Sequence, residues 1–335
     1  MSLAAILSLS GPKLTADERA LFRAAAPAGY ILFGRNVTSP EQVRALTDEL
    51  LALHGRLMPV LIDQEGGRVA RLRPPHWPKF PAAARFAELF VSAPLSALEA
   101  ARLNGLALAA TLRALGITVD CLPVLDVPQP GAHEIIGDRA YGAEPSRIAA
   151  LGGATLDGLQ AGGVVGVVKH IPGHGRARVD SHLELPVVEA SAAELETDLA
   201  PFAALAGRAR MAMTAHVTYT AWDARRCATV SPTVIADVIR GRIGFDGWLM
   251  SDDLGMKALA GTAAENGLAA LAAGCDVALH CNGDFAEMAA LAEALPRQTA
   301  EAGRRLAAAM ELTAAPDPGT AAELAAKRDA LLALA

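Results

Sequence analysis

Short apolar runs alternate along the chain with segments whose apolar residues recur at helical spacing. The runs Ala4–Leu7, Tyr30–Phe33, Pro59–Ile62, Ile117–Cys121, Val164–Val168, Met211–Thr214, Trp248–Met250 and Val277–Leu279 have the length and β-branching of buried parallel strands. Helix starts lie between them. Thr15 with Glu18, Ser39 with Gln42, Ser96 with Glu99 and Ser191 with Glu194 have capping-box spacing, and Pro40 and Pro232 follow Ser39 and Ser231 at first-turn positions. Val43, Leu46, Leu50 and Leu53 form an apolar stripe at helical spacing. Eight strand–helix repeats predict an α/β fold, a single-domain (β/α)₈ TIM barrel over residues 1–295. An open doubly wound sheet is the alternative, but it usually carries a Gly-rich dinucleotide turn after an early strand, and none is present. Residues 296–335, rich in Ala, Glu and Arg, read as a C-terminal helical extension packed on the barrel and broken at Pro316-Asp317-Pro318-Gly319.

In such a barrel the C-terminal ends of the strands carry the chemistry. Asp63-Gln64-Glu65-Gly66-Gly67-Arg68 follows the third strand, with Arg71 just beyond, and Asp126 and then Gly137-Asp138-Arg139 follow the fourth. The fifth strand stops at Lys169-His170, and a loop with Pro172, Gly173, His174 and Gly175 runs on to Asp180-Ser181-His182. The sixth delivers His216, the seventh Ser251-Asp252-Asp253, and the eighth His280-Cys281-Asn282. Segments leading into the strands, such as Ala28-Gly29, Gly116 and Gly162-Gly163, are small and uncharged. This asymmetry implies a polar, hydroxyl-rich ligand, with Asp63 accepting from hydroxyls and Arg and Lys clamping carbonyl or carboxylate oxygens. Two other readings fit parts of the pattern. His170, His174, Asp180 and His182 are plausible ligand types for a metal-dependent barrel amidohydrolase, although such enzymes usually open with paired His on an early strand. A non-catalytic amino-sugar-binding protein would use Asp63 and Arg139 but leave Asp180, His182 and Asp252 without a task. Asp253 as a helix cap and His216 as a satisfied core histidine are the plain structural readings of those two residues.

Composition narrows the classes. The 335 residues are 52% hydrophobic and 20% charged, with a net charge of −6, as expected of a globular protein with a sizeable core. Basic residues are dispersed, which argues against a nucleic-acid partner. The apolar start, Met1–Ser10, has no basic n-region and is too short to span a bilayer, so a cytoplasmic protein without membrane association is expected. Cys121, Cys227, Cys275 and Cys281 lack CxxC spacing and read as free thiols.

Taken together, Asp63-Gln64-Glu65-Gly66-Gly67-Arg68-Val69, Gly137-Asp138-Arg139, Lys169-His170-Ile171-Pro172-Gly173-His174-Gly175 with Asp180-Ser181-His182, and Ser251-Asp252-Asp253-Leu254 resemble the glycoside hydrolase family 3 β-N-acetylhexosaminidases. Among these the chain is similar to the bacterial cytoplasmic enzymes of peptidoglycan recycling. Ile171, where Phe is more frequent, and Gly255, where Ser is common, depart mildly from the pattern. The resemblance implies Asp252 as nucleophile, His182 as general acid/base with Asp180 as its partner, and Asp63, Arg71, Arg139, Lys169 and His170 as residues that bind the N-acetylglucosamine ring. It further implies a monomeric enzyme without metal or organic cofactor, acting on small muropeptide fragments. Retaining glycosidases usually use two carboxyl groups, and larger relatives carry the acid on a second domain. Here the loop after the fifth strand offers an imidazole instead, with an ordinary pKa of about 6.5, on a Gly-containing segment suited to movement.

Overall fold

A computed structural model describes residues 1–315 and 319–335. Eight parallel strands close into a barrel: β1 (Leu3–Leu7), β2 (Pro27–Leu32), β3 (Val60–Ile62), β4 (Val119–Asp120), β5 (Val165–Ile171), β6 (Met211–Thr214), β7 (Trp248–Asp253) and β8 (Val277–Leu279). Closure is direct, since β1 pairs with β2 (Leu7 with Tyr30) and with β8 (Ala5 with Ala278), which rules out the open sheet. Each apolar run of the sequence holds one strand. The fifth and seventh run further than their apolar residues indicate, carrying Lys169 and His170, and Ser251, Asp252 and Asp253, inside the strands rather than beyond them.

Side chains alternate between two environments. Ile6, Ile31, Leu61, Val119, Val165, Val167, Met211, Trp248 and Val277 fill the barrel interior, while Leu7, Leu32, Ile62 and Ala278 join a cluster facing the helices. With both faces buried, the strands lack the polar alternation of a half-exposed sheet. Around them lie α1 (Ala16–Ala25), α2 (Pro40–His54), α3 (Ala83–Ser92), α4 (Pro94–Ala114), α5 (Pro145–Ala161), α6 (Ala192–Leu205), a π-wound helix Val234–Arg242, α7 (Ala263–Ala273) and α8 (Phe285–Ala294). Two more helices follow, α9 (Ala300–Met310) and α10 (Ala321–Leu332). Leu306 and Ala309 of α9 join the interior cluster at the N-terminal ends of the strands, where Arg305 bonds Asp276 at 3.0 Å. Arg328 of α10 is buried and donates to Asn104 of α4 at 2.9 Å. The opposite, C-terminal mouth is left to the loops.

Local signals mostly hold. Thr15–Glu18 and Ser191–Glu194 form complete capping boxes. Ser39 accepts the Gln42 N–H, but the Gln42 side chain turns to the Thr38 N–H instead of closing the box. Ser96 is not a cap: only Ala93 separates α3 from α4, Pro94 starts the helix, and Glu99 pairs with Arg102. The expected break at Pro316–Pro318 lies outside the described residues. One feature escapes the sequence. Val187–Val188 and Thr218–Tyr219 pair in parallel above the barrel, and the Tyr219 hydroxyl donates to the Gly173 carbonyl at 2.6 Å. Together they tether the loop after β5 to the loop after β6.

Helices α4 and α5 cross where both lack a side chain. A Cβ at Gly158 would stand 2.1 Å from the Arg102 carbonyl oxygen, and one at Gly105 would stand 2.4 Å from that of Thr155. Gly158→Ala is therefore expected to destabilise the protein by about 1–3 kcal/mol, as overpacking does. Urea denaturation measures it, and an unchanged midpoint would mean that the helices separate without cost.

Candidate active site

At the C-terminal mouth a cavity of about 250 Å³ is lined by Asp63, Arg71, Arg139, Lys169, His170, His182 and Asp252, with Glu65, Arg68, His174, Ser181 and Cys281 among their neighbours. Every candidate residue named from the sequence reaches this cavity except Asp180, which stands behind His182. The residues come from four strands and their loops, and β-barrel closure is what brings them together.

The floor is a cluster of charges. Lys169, 2% exposed, donates to Asp63 at 2.9 Å and lies 2.7 Å from Glu65. Arg139 grips Glu65 with Nε and a terminal nitrogen, both at 2.8 Å, and Arg71 donates to the other oxygen of Asp63 at 2.9 Å. Burial opposes ionisation of Asp63 and Glu65, but Lys169 with Arg71, and Lys169 with Arg139, outweigh it. Asp63 falls well below the ordinary carboxylate range and Glu65 falls to about 2. Against the same burial, Asp63 and Glu65 hold Lys169 firmly protonated. Lys169 and Arg139 thus direct much of their bonding to the protein's own carboxylates. Arg71 keeps a buried Nε with no partner among the described residues and stacks over the Phe33 ring at 5.1 Å. Glu65 was not singled out from the sequence; its two-residue spacing from Asp63, which puts both on one face of an extended segment, was the available signal.

Beside this floor, His170 Nδ1 bonds Asp126 at 2.7 Å, and Asp126 also accepts the His174 N–H at 2.6 Å. Burial would raise Asp126, but His170 and His174 bring it to about 2. An ionised Asp126 only accepts, so Nδ1 of His170 carries the proton and Nε2 is the free edge. His174 is buried and meets the Ser181 hydroxyl at 3.1 Å; burial lowers its pKa to about 4 and keeps it neutral. His182 is different. Its side chain is 62% exposed, and Asp180 accepts both its N–H at 2.9 Å and its Nδ1 at 2.8 Å. Burial acts against ionisation of Asp180, yet these bonds hold its carboxyl below the ordinary value. Of the four residues weighed as metal ligands, His170 bonds Asp126, Asp180 and His182 bond each other, and His174 meets Ser181 through Nε2 while its buried Nδ1 has no partner among the described residues.

Across the cavity, Asp252 accepts the Asp253 N–H at 2.8 Å on Oδ1. Burial pushes its carboxyl up, but the His216 and His170 imidazoles and the Asp253 N–H hold it below the ordinary value. Asp253 does not cap a helix; its carboxylate receives the N–H groups of Gly255 at 3.2 Å and Cys281 at 3.0 Å, joining the ends of β7 and β8. His216 is fully buried with both ring nitrogens bonded, and His280 turns away to Glu287 at 2.9 Å.

Asp126 and Glu65 lie near 2 in the folded protein, below their ordinary values of 3.8 and 4.5, so the unfolded chain binds more protons across that interval. The stability they supply is complete above the ordinary values and drains as pH falls toward 2. Urea midpoints measured across that range are expected to fall less steeply for Asp126→Asn than for wild type. Equal slopes would remove Asp126 from the acid response.

The chain matches the glycosyl hydrolase family 3 N-terminal domain over residues 3–311. It is 42% identical to a β-hexosaminidase of Methylococcus capsulatus over 309 residues, covering 90% of each chain. A β-hexosaminidase of Alkalilimnicola ehrlichii is 41% identical over 281 residues, 83% of this chain and 80% of the other. Among solved structures, NagZ from Neisseria gonorrhoeae in complex with N-trifluoroacetyl-D-glucosamine superposes with a TM-score of 0.89 at 30% identity, covering 99% of this chain and 98% of that one. Closed barrel, strand-end charges and sequence agree over nearly the whole length: the chain belongs to glycosyl hydrolase family 3.

Proposed function

We propose that this glycoside hydrolase is a retaining exo-β-N-acetylglucosaminidase. It removes terminal N-acetylglucosamine from muropeptide fragments, N-acetylglucosamine linked to 1,6-anhydro-N-acetylmuramic acid with or without peptide, during peptidoglycan recycling in the cytoplasm. The observation that carries the reading is the pairing across one cavity of a strand-borne carboxylate, Asp252, with the Asp180–His182 couple. A cavity of about 250 Å³ suits one terminal sugar ring better than an internal stretch of polymer. The relatives named β-hexosaminidase, and an N-acylated glucosamine bound by the Neisseria protein, support the amino-sugar part. Among the described residues no helix is long and apolar enough to cross a membrane.

The reaction follows from which atoms remain free. Oδ1 of Asp252 is held by the Asp253 N–H, which leaves Oδ2 to attack the anomeric carbon. The glycosidic C–O bond breaks, its electron pair stays on the leaving oxygen, and that oxygen takes a proton from Nε2 of His182. Nδ1 stays on Asp180, which orients and polarises the ring. The product of this half is a glycosyl–aspartate ester and the free aglycone. His182, now neutral, accepts a proton from water; the water oxygen attacks the same carbon and releases Asp252, so two inversions give net retention. Asp63, Arg71, Arg139, Lys169 and His170 hold the ring, with Asp63 and the free edges of Arg71 and His170 as the groups that meet hydroxyls and the acetamido carbonyl. No step calls for a cofactor, and the protein acts as a monomer.

Asp252→Asn is expected to fold and bind N-acetylglucosamine but to lose roughly 10⁴-fold or more in turnover. A fluorinated N-acetylglucosaminide inactivator labels Asp252 in the wild type; peptide mapping that finds the label on Asp253 or Glu65 would overturn the assignment. His182→Ala separates acid catalysis from scaffolding. On a disaccharide with a poor sugar leaving group it should lose about 10²–10⁴-fold, whereas glycosylation with a nitrophenyl leaving group should fall by no more than about tenfold. Deglycosylation still needs the base, so the covalent intermediate accumulates and is seen by mass spectrometry. A similar loss on both substrates is the result expected of a purely structural His182.

A further inference from the structure

The proposed chemistry gives no task to a buried polar chain behind Asp252. Thr214, His216 and Thr229 are each 0% exposed. The register pairs between β6 and β7 end at Met213–Met250, and beyond them the Asp252 N–H goes to the Thr214 hydroxyl at 3.3 Å. Thr214 and Thr229 hydroxyls lie 2.7 Å apart, Thr229 lies 2.7 Å from His216 Nδ1, and His216 Nε2 lies 2.9 Å from the Asp253 carbonyl oxygen. Proton directions follow from the ends. A carbonyl only accepts, so Nε2 carries a hydrogen. The Thr229 hydroxyl, between Thr214 and His216 Nδ1, also lies 3.2 Å from the Ala215 carbonyl oxygen, which can take its hydrogen, and Thr214 accepts from the Asp252 N–H. Each donor in the chain has an acceptor, as a dry interior requires.

A packing role alone would be met more cheaply by apolar side chains, since three buried polar groups must all be satisfied. What distinguishes this chain is where it begins and ends. It grips the N–H of Asp252 and the carbonyl of Asp253, and between those points the Asp253 N–H holds Oδ1 of Asp252. Turning residue 253 would break both the carbonyl bond and the carboxylate bond. We infer that Thr214, Thr229 and His216 are positioning residues that fix the orientation of the Asp252 carboxylate toward the anomeric carbon, an inference resting on Asp252 as the nucleophile. Thr229 is the central link, although it lies outside every motif and touches nothing in the cavity.

The test compares Thr229→Val, which keeps shape and removes the link, with Thr229→Ser, which keeps the hydroxyl. On nitrophenyl β-N-acetylglucosaminide, Thr229→Val is expected to lower kcat about 10- to 100-fold, the cost of a misaligned reacting group. KM and the Kd of N-acetylglucosamine should stay within about threefold, and Thr229→Ser should recover kcat to within about threefold of wild type. A Thr229→Val enzyme with unaltered kcat, a loss confined to KM, or a Ser variant as impaired as the Val variant overturns the inference. If Thr229→Val does not fold, as read by thermal melting, Thr214→Val with Thr214→Ser takes its place under the same criteria. Asp252→Asn is assayed in parallel. Retained turnover there overturns the nucleophile reading and this inference with it, whereas an inactive Asp252→Asn beside a fully active Thr229→Val overturns this inference alone.

Discussion

The ammonium of Lys169, buried between Asp63 at 2.9 Å and Glu65 at 2.7 Å, sets the terms for the mouth of the barrel. An isolated ammonium at 2% exposure is too costly to persist, so carboxylates must face it, and those carboxylates in turn require Arg71 and Arg139. Once assembled, the five groups carry one surplus positive charge and pull together β3, β5 and the Gly137–Arg139 turn. Removing any one member leaves a buried charge unmatched, a loss usually worth several kcal/mol. Such a cluster is a poor source of net stability but a good source of shape, because its bonds have few alternative geometries. The cavity inherits its floor from this requirement.

On that floor Asp252 and His182, the proposed nucleophile and proton carrier, are held in opposite ways. Asp252 extends from a barrel strand, with its own N–H, one carboxylate oxygen and the following carbonyl all bonded to neighbours. His182 stands 62% exposed at the end of a loop, oriented chiefly by Asp180. The loop itself is moored at several points. Ser181 meets the buried His174, Gly175 and Ala177 carbonyls receive N–H groups from the loop after β4, and Tyr219 holds Gly173. A nucleophile gains from fixed aim, because small misplacements lower the rate sharply. A proton carrier that must serve first a leaving group and then water gains from an exposed position reachable by both. The difference in anchoring matches the difference in the tasks proposed for them.

Much of this was determined by the sequence itself. The eight apolar runs specify strands because each reflects burial on both faces, a property of the residues and not of their partners. Thr15 with Glu18 and Ser191 with Glu194 specify helix starts because the bonds span only three residues. The placement of Asp63, Lys169, His182 and Asp252 after apolar runs marks the active-site mouth once a barrel is accepted. Ser96 shows the limit of such reading: the spacing of a capping box is present, but Pro94 and the end of α3 fix the helix start earlier.

Only the tertiary structure decided who bonds with whom. Glu65 meets Arg139 across 74 residues, Asp63 meets Lys169 across 106, and Asp126 meets His170 across 44. The sequence holds the charges but not the pairings, so the bonds of Lys169 and Arg139 to Asp63 and Glu65 could not be read from it. Thr229 carries no local signal whatever, since its bonds to Thr214 and His216 exist only after β6 and the loop beyond it have folded back behind Asp252. Periodicity and capping arise from neighbours along the chain and survive in a linear reading. Electrostatic partnership depends on distance through space, and closing the barrel is what sets those distances.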